Sequence, residues 1–153
     1  MTIWLETDQQ HQWRALLTGS NALFAALNHD LETVTGLSLN EYEVLVRLSE
    51  SPERTLRMSA LADGLVHSRS RLTHAVRRME QRGLVSRCAA VDDGRGVLCR
   101  MTDDGYEVLV QAAPVHVDSV RTRLVDVVTP EELAVIGAAF ERIGAAVAQD
   151  PPR

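Results

Sequence analysis

The sequence HSRSRLTHAVRRMEQRG, residues 67–83, combines an apolar face and a cationic face within one short helix. The apolar residues recur at helical spacing: they are Leu72, Ala75, Val76 and Met79. The opposite face is polar and basic: it carries Arg69, Ser70, Arg71, Thr73, His74, Arg77 and Arg78. Ser68 is placed to cap the N-terminus, and Gly83 is placed to end the helix in a left-handed conformation. The segment therefore predicts a helix that packs on a core along one side and faces an anion along the other.

A second short helix and a β-hairpin flank this cationic helix. We predict that Ser59 caps the preceding helix, which joins the cationic helix through a tight turn, as in a helix-turn-helix. The β-prone runs 84–91 and 97–101 enclose the sequence DDGRG, and Asp-Gly between apolar runs is a strong hairpin signal. The combination predicts a winged helix, with Arg95 at the tip of the wing.

Amphipathic helices lie outside the winged helix in the sequence. Residues 9–34 predict the first helix, and two further helices are expected after residue 102. Pro114 should kink or split the first of those two, whereas residues 129–132 begin the second with a capping box. Because these helices are too apolar to be solvated singly, we expect them to pack on each other and on a second copy of the chain. The predicted fold is mainly α with a small β-hairpin wing: an N-terminal dimerisation helix in 1–36, a winged helix-turn-helix in 37–102 and C-terminal dimerisation helices in 103–153.

The charge distribution favours a polyanionic partner, although the chain as a whole is acidic. The sequence contains 16 basic and 21 acidic residues, which gives a formal net charge of −5. Residues 66–100 nevertheless hold eight arginines and only three acidic residues. Positive potential is thus concentrated on the cationic helix and the wing.

Several classes of protein are excluded by the same composition. No apolar run is long enough to span a bilayer, and the N-terminus is acidic and polar, so we expect a cytoplasmic protein with no membrane contact. No paired carboxylates, nucleophile–base arrangement, phosphate-binding loop or metal motif is present, so we expect neither an enzyme nor a cofactor.

The two cysteines fall on the two predicted wing strands. A two-residue turn at Asp93-Gly94 would pair Cys88 directly with Cys99, which leaves a redox switch open. The plainer interpretation is that two small side chains pack the hairpin, because redox sensors need an exposed thiolate of low pKa. A zinc site that combined the cysteines with His67 and His74 would match no standard zinc spacing.

The order of elements and the residues resemble the MarR family of winged-helix transcription regulators. The matching segments are LSLNEYEVLVRLSE (37–50), MSALADGLVHSRSRLTHAVRRMEQRGLVSR (58–87) and DDGRGVLCRMTDDG (92–105). The resemblance implies a homodimer that binds palindromic double-stranded DNA. It also implies that a small phenolic or other aromatic ligand often releases the DNA.

We predict a DNA-binding surface on the cationic helix and the wing. Four residues are assigned to base edges: Ser70, Thr73, His74 and Arg77. Three arginines are assigned to phosphates: Arg69, Arg71 and Arg78. Ser68 belongs to the same surface. Arg95 is expected to enter the minor groove, with Asp93 orienting its guanidinium group.

The resemblance places a ligand crevice between the dimerisation helices and the winged helix. Candidate lining residues there are Trp13, His29, Tyr42, Arg47 and Arg57. The sequence therefore predicts a homodimeric, sequence-specific DNA-binding regulator, a repressor that responds to a small ligand and recognises a pseudo-palindromic operator. The alternative is a winged-helix module for protein–protein contact with weak or no DNA binding.

Overall fold

The computed structural model of the 153-residue chain describes residues 2–63, 69–90 and 96–149, except for the side chain of Arg69. The described helices are α1 (Thr7–Thr35), α2 (Leu39–Ser49), α3 (Met58–Asp63), α4 (Arg69–Gln81), α5 (Asp103–Val120) and α6 (Pro130–Gln149). The described strands are β1 (Thr55–Arg57), β2 (Val85–Ala89) and β3 (Val97–Met101). The mainly α fold with a small β-hairpin wing is confirmed, and β1 adds a third strand to the wing.

Three predicted capping signals are confirmed: the capping box at Ser38, and the glycines that end α1 and α4. Ser38 Oγ accepts a hydrogen bond from the Glu41 backbone N–H at 3.2 Å, and Glu41 Oε2 accepts one from the Ser38 backbone N–H at 2.8 Å. This reciprocal pair is a capping box, and it satisfies donors that the first turn of α2 would otherwise leave unpaired. Gly36 after α1 and Gly83 after α4 adopt left-handed φ values of 70° and 73°, which glycine tolerates without steric cost.

The sheet is antiparallel in the order β1–β3–β2. Its register corrects the predicted pairing of the two cysteines, because Cys99 lies opposite Arg87 and Cys88 lies opposite Leu98. A two-residue turn requires a register one residue away from the observed one. Adjacent residues of a strand point to opposite faces of the sheet. Cys99 points to the same face as its partner Arg87, so Cys88, the next residue, points to the opposite face. The Asp-Gly signal located the hairpin correctly but gave the wrong register.

One expectation about a helix start is corrected, and of the two effects predicted for Pro114 the splitting of the helix is excluded. Ser59 is the second residue of α3 and not its N-cap, because β1 ends at Arg57 and α3 begins directly at Met58. Pro114 does not split α5, which runs from Asp103 to Val120 with the proline inside it. The helix changes to π-helical geometry further on, at Arg121–Val125. Residues 64–68, where the predicted turn lies, are outside the described residues.

The junction between β3 and α5 depends on Gly105. A Cβ atom at this position would overlap the backbone carbonyl oxygen of Leu84 and lie 3.0 Å from its carbonyl carbon. Thr102 Oγ1 donates a hydrogen bond to the Gly83 carbonyl at 2.7 Å and accepts one from the Gly105 N–H at 3.0 Å. Thr102 thereby ties the first turn of α5 to the segment that ends α4, and glycine permits the close approach.

The chain divides into two compact units, Met1–His116 and Val117–Arg153. The first unit holds a core contributed by helices and sheet together, including Leu31 of α1, Val76 and Met79 of α4 and Cys99 of β3, all completely buried. Much of α1 and α6 is different, because their apolar side chains are exposed in a single chain. Among the described helices, none combines the length and the apolar character that crossing a membrane requires.

Candidate nucleic-acid interface

Helix α4 has the two faces that its sequence predicts. Its four apolar residues are buried: Leu72, Ala75, Val76 and Met79. The residues assigned to DNA whose side chains are described are all exposed: Ser70, Arg71, Thr73, His74, Arg77 and Arg78. Ser68, Asp93 and Arg95 lie outside the described residues, as does the side chain of Arg69. The described part of α4 therefore presents one continuous polar and basic surface, held rigidly by a packed core.

The arginines of this region fall into two groups. Among the described residues, Arg71 and Arg77 of α4 and Arg100 of β3 are exposed and form no ion pair. Arg78, in contrast, lies 3.4 Å from a carboxylate oxygen of Glu41. The unpaired guanidinium groups retain their full donor capacity, which is what contact with phosphates or guanine edges requires.

One ion pair fixes the wing to the cationic helix. Arg87 Nη2 of β2 donates to Glu80 Oε2 of α4 at 2.7 Å, and Arg87 Nε donates to the same oxygen at 3.2 Å. The hydrogen bond from this guanidinium group holds the pKa of Glu80 below its usual range and raises the pKa of Arg87. Arg87 therefore serves β2–α4 packing, a role that no local sequence pattern indicates.

Arg57 lies at the base of the wing. A Cβ atom added to Gly96 would lie 2.6 Å from Arg57 Nη1, so the guanidinium group rests against this glycine. The Gly96 carbonyl accepts a hydrogen bond from the Ala90 N–H at 2.8 Å, which continues the β2–β3 pairing toward the tip. This position of Arg57, a candidate ligand contact, puts a further positive charge beside the wing.

The other proposed ligand contacts do not converge on one described cavity. Trp13 and His29 are exposed on α1, whereas Tyr42 is buried with its ring centroid 4.6 Å from that of His116. Arg47 donates hydrogen bonds to the carbonyls of Leu61 at 2.7 Å and Ala60 at 3.1 Å, which ties α2 to α3. A cavity of about 220 Å³ lies instead between α3 and α4, lined by Met58, Ser59, Ala62, Leu72 and Thr73.

The two cysteines occupy different environments. Cys88 is exposed, whereas Cys99 is completely buried in the core of the first unit. Burial raises the pKa of the Cys99 thiol to about 11, because the apolar surroundings disfavour a thiolate. Oxidation and alkylation require the thiolate, so Cys99 is protected by both its burial and its protonation.

We expect iodoacetamide at pH 8 to label Cys88 and to leave Cys99 unlabelled in the folded protein. With a pKa of about 11, only about one thiol in a thousand at Cys99 is ionised at that pH. Peptide mass spectrometry measures the labelling, and the same reaction in 6 M guanidinium should modify both residues. Equal labelling of the two cysteines without denaturant would contradict the prediction.

Known structures and one family model match this chain. A sequence model of the MarR family matches residues 35–96. One match is Sco3205, a MarR family transcriptional regulator from Streptomyces coelicolor that was crystallised in complex with DNA. It is 38% identical to this chain, the alignment spans 95% of this chain and 92% of Sco3205, and the TM-score is 0.91. AbsC, a MarR family transcriptional regulator from the same organism, is 38% identical, covers 97% of this chain and 100% of its own, and has a TM-score of 0.90.

A more distant structure shares the fold. The organohalide-sensing transcriptional regulator RdhR-CbdbA1625, in its 2,4-dichlorophenol-bound form, is 18% identical to this chain. The match covers 91% of this chain and 80% of the other, with a TM-score of 0.78. A search of curated proteins found no match.

Proposed function

Because the chain belongs to the MarR family of transcriptional regulators, we propose that it is a homodimeric repressor that binds a pseudo-palindromic DNA operator. The observation that carries the proposal is the exposed face of α4, where Arg71 and Arg77 have no carboxylate partner among the described residues. This face enters the major groove, where Arg77 contacts a guanine and Arg71 contacts phosphate. The crystal structure of Sco3205, a relative of 38% identity, in complex with DNA supports the proposal that this chain binds DNA.

Salt dependence tests DNA binding against the alternative of a protein–protein module. Operators are first selected from genomic fragments with the purified protein, and binding is then titrated at several salt concentrations. A DNA-binding dimer releases counterions, so log K should fall steeply and linearly with log salt concentration. Failure to enrich any sequence, together with a flat salt dependence, would favour the protein–protein module.

Replacing Arg77 with alanine should lower operator affinity about tenfold or more and affect non-operator DNA much less. A bidentate arginine–guanine contact is worth about 1–3 kcal/mol of discrimination between bases. Lysine should not restore this discrimination, because it lacks the planar fork of donors. Fluorescence anisotropy with operator and scrambled duplexes measures both affinities. Arg14→Ala removes one exposed positive charge from α1 and serves as the control; equal losses in the two variants would contradict base contact by Arg77.

Replacing Arg95 with alanine should weaken operator binding at least about tenfold, which corresponds to about 1.4 kcal/mol. The proposed reason is entry of this guanidinium into the minor groove, where narrow A·T-rich segments concentrate negative potential. Gel-shift titration measures the affinity, and circular dichroism checks that the fold is retained. Unchanged affinity would remove the wing from the mechanism.

Dimerisation is proposed from apolar side chains that a single chain leaves exposed. On α6 they form one helical stripe: Ile136, Phe140, Ile143 and Val147. On α1 they include Trp13, Leu16, Leu17 and Phe24. Apolar stripes of this length on a monomer usually mark an interface. A second copy of the chain is the occupant that also supplies the second α4 that a palindromic site needs.

Release by a small ligand completes the proposed function. A phenolic or other aromatic compound is the proposed class, and the 2,4-dichlorophenol-bound state of RdhR-CbdbA1625 supplies a probe. Such a ligand must bind the DNA-incompetent dimer more tightly than the DNA-bound one, since equal affinity shifts nothing. Operator titrations with and without the probe at several concentrations test this step, and unchanged affinity throughout argues against release by that compound.

A further inference from the structure

Glu41 is a completely buried carboxylate at the point where α1, α2 and α4 meet. Its Oε2 accepts the capping-box hydrogen bond from Ser38, but its Oε1 accepts no hydrogen bond in the described structure. A capping box needs one acceptor oxygen, and the amide of glutamine serves it as well as a carboxylate does. The second oxygen and the negative charge of Glu41 are therefore not explained by helix capping.

Burying an uncompensated carboxylate is costly, so the charge must be balanced nearby. Two arginines supply the balance. Arg78 Nε lies 3.4 Å from Glu41 Oε1, and Arg82 Nη1 lies 4.0 Å from Oε2. Both arginines belong to the C-terminal part of α4 or follow it directly, whereas Glu41 belongs to the first turn of α2. The pairing thus connects the DNA-facing helix to a different part of the fold.

Arg82 extends the connection to α1. Its Nη1 donates a hydrogen bond to the Gly36 carbonyl at 2.9 Å, and Gly36 is the left-handed cap of α1. The end of α1, the start of α2 and the end of α4 are therefore held by one carboxylate and two guanidinium groups. This arrangement constrains the rotation and tilt of α4, on which the placement of every exposed side chain of that helix depends.

We propose that Glu41 is a positioning residue for sequence recognition, and that Arg78 is its ion-pair partner on α4 and not a phosphate contact. The inference rests on the proposed DNA-binding function. Without the negative charge, α4 retains its cationic surface but loses its fixed orientation. Affinity for non-operator DNA is then preserved, whereas affinity for the operator falls, so discrimination between operator and other sequences declines.

The test compares Glu41→Gln with the wild-type dimer and with Glu50→Gln. The glutamine keeps the volume and the capping acceptor, and the control neutralises an exposed carboxylate at the end of the same helix. We expect Glu41→Gln to reduce the ratio of operator to non-operator affinity about tenfold, with the non-operator affinity and the slope of log K against log salt unchanged. A wild-type ratio in folded Glu41→Gln protein would overturn the inference.

Two variants of Arg78 keep the test decisive if Glu41→Gln fails to fold. Arg78 is largely exposed, so Arg78→Gln and Arg78→Lys should both fold. If Arg78 pairs with Glu41 and does not contact phosphate, the Arg78→Gln protein should lose discrimination at an unchanged salt slope, and Arg78→Lys, which keeps the balancing charge, should lose less of it. A phosphate contact would instead reduce the salt slope by about one in Arg78→Gln and lower operator and non-operator affinity alike, which would overturn the inference. Absence of salt-dependent binding in the wild type would refute the proposed function itself.

Discussion

Replacing Gly105 with alanine should destabilise the protein by about 3 kcal/mol or more, at the upper end of the range for overpacked sites. The added Cβ would overlap the Leu84 carbonyl oxygen, which belongs to the backbone and cannot rotate away as a side chain can. Separation of the two segments would also stretch the hydrogen bonds of Thr102 to Gly83 and Gly105. In a chain of this size, the midpoint of thermal unfolding should fall by roughly 6–12 °C.

Gly19→Ala is the matched control, because a Cβ there meets nothing within 4 Å. It lies in the middle of α1 and outside the apolar stripe of that helix, so alanine should stabilise the protein by up to about 1 kcal/mol. Calorimetry or circular dichroism of both variants measures the difference. Equal thermal midpoints for the two variants would show that α5 can shift away from Leu84 at little cost.

Replacing Phe140 with glutamate should convert the proposed dimer to monomers and lower affinity for the full operator about 100-fold or more. The ring is about half exposed in a single chain, at 47%. A charge placed in an apolar interface loses its hydration without gaining a partner. A monomer contacts only one half-site and loses the increase in affinity that comes from two linked half-site contacts, which is typically about 10²–10⁴-fold. Sedimentation equilibrium measures the mass, and gel shift measures the affinity.

Arg142→Glu controls for added negative charge on α6, because this exposed residue lies on the opposite side of the helix from Phe140. It should remain a dimer and bind the operator with nearly wild-type affinity. The affinity of Phe140→Glu for an isolated half-site should also stay close to that of one wild-type protomer. A dimeric Phe140→Glu protein would exclude the α6 stripe from the interface.

The local signals in the sequence predicted the fold well, because helices depend on short-range periodicity and capping. The buried stripe of α4, the capping box at Ser38 and the left-handed glycine after α4 all involve residues within a few positions of one another. The wing register was wrong because pairing depends on how many residues the strands enclose, and the Asp-Gly motif alone does not determine that number.

The site was harder to predict where distant residues meet. Nothing near Glu41 in the sequence indicates that it lies beside Arg78 in the fold. The same applies to Arg47, which donates to carbonyls of α3. The position of Arg57 beside Gly96 likewise follows from the sheet order and not from its neighbours in the sequence. Such positions follow from tertiary packing, for which helical or strand periodicity carries no information.

β1 is connected to both the wing and the helix-turn-helix, and this connection has a consequence for how operator affinity depends on DNA shape. β1 pairs with β3 of the wing over Thr55–Arg57, and α3 begins at the next residue. In the proposed complex, β1 therefore couples the wing strand β3 to the helix-turn-helix, through strand pairing on one side and chain continuity on the other. On the proposed function, this coupling should make operator affinity depend on the distance and twist between neighbouring grooves. Operators that share the contacted bases but differ in the base-pair steps between them should differ in affinity. The reason is that the DNA duplex, and not the protein, must deform to make both contacts, and its stiffness depends on sequence.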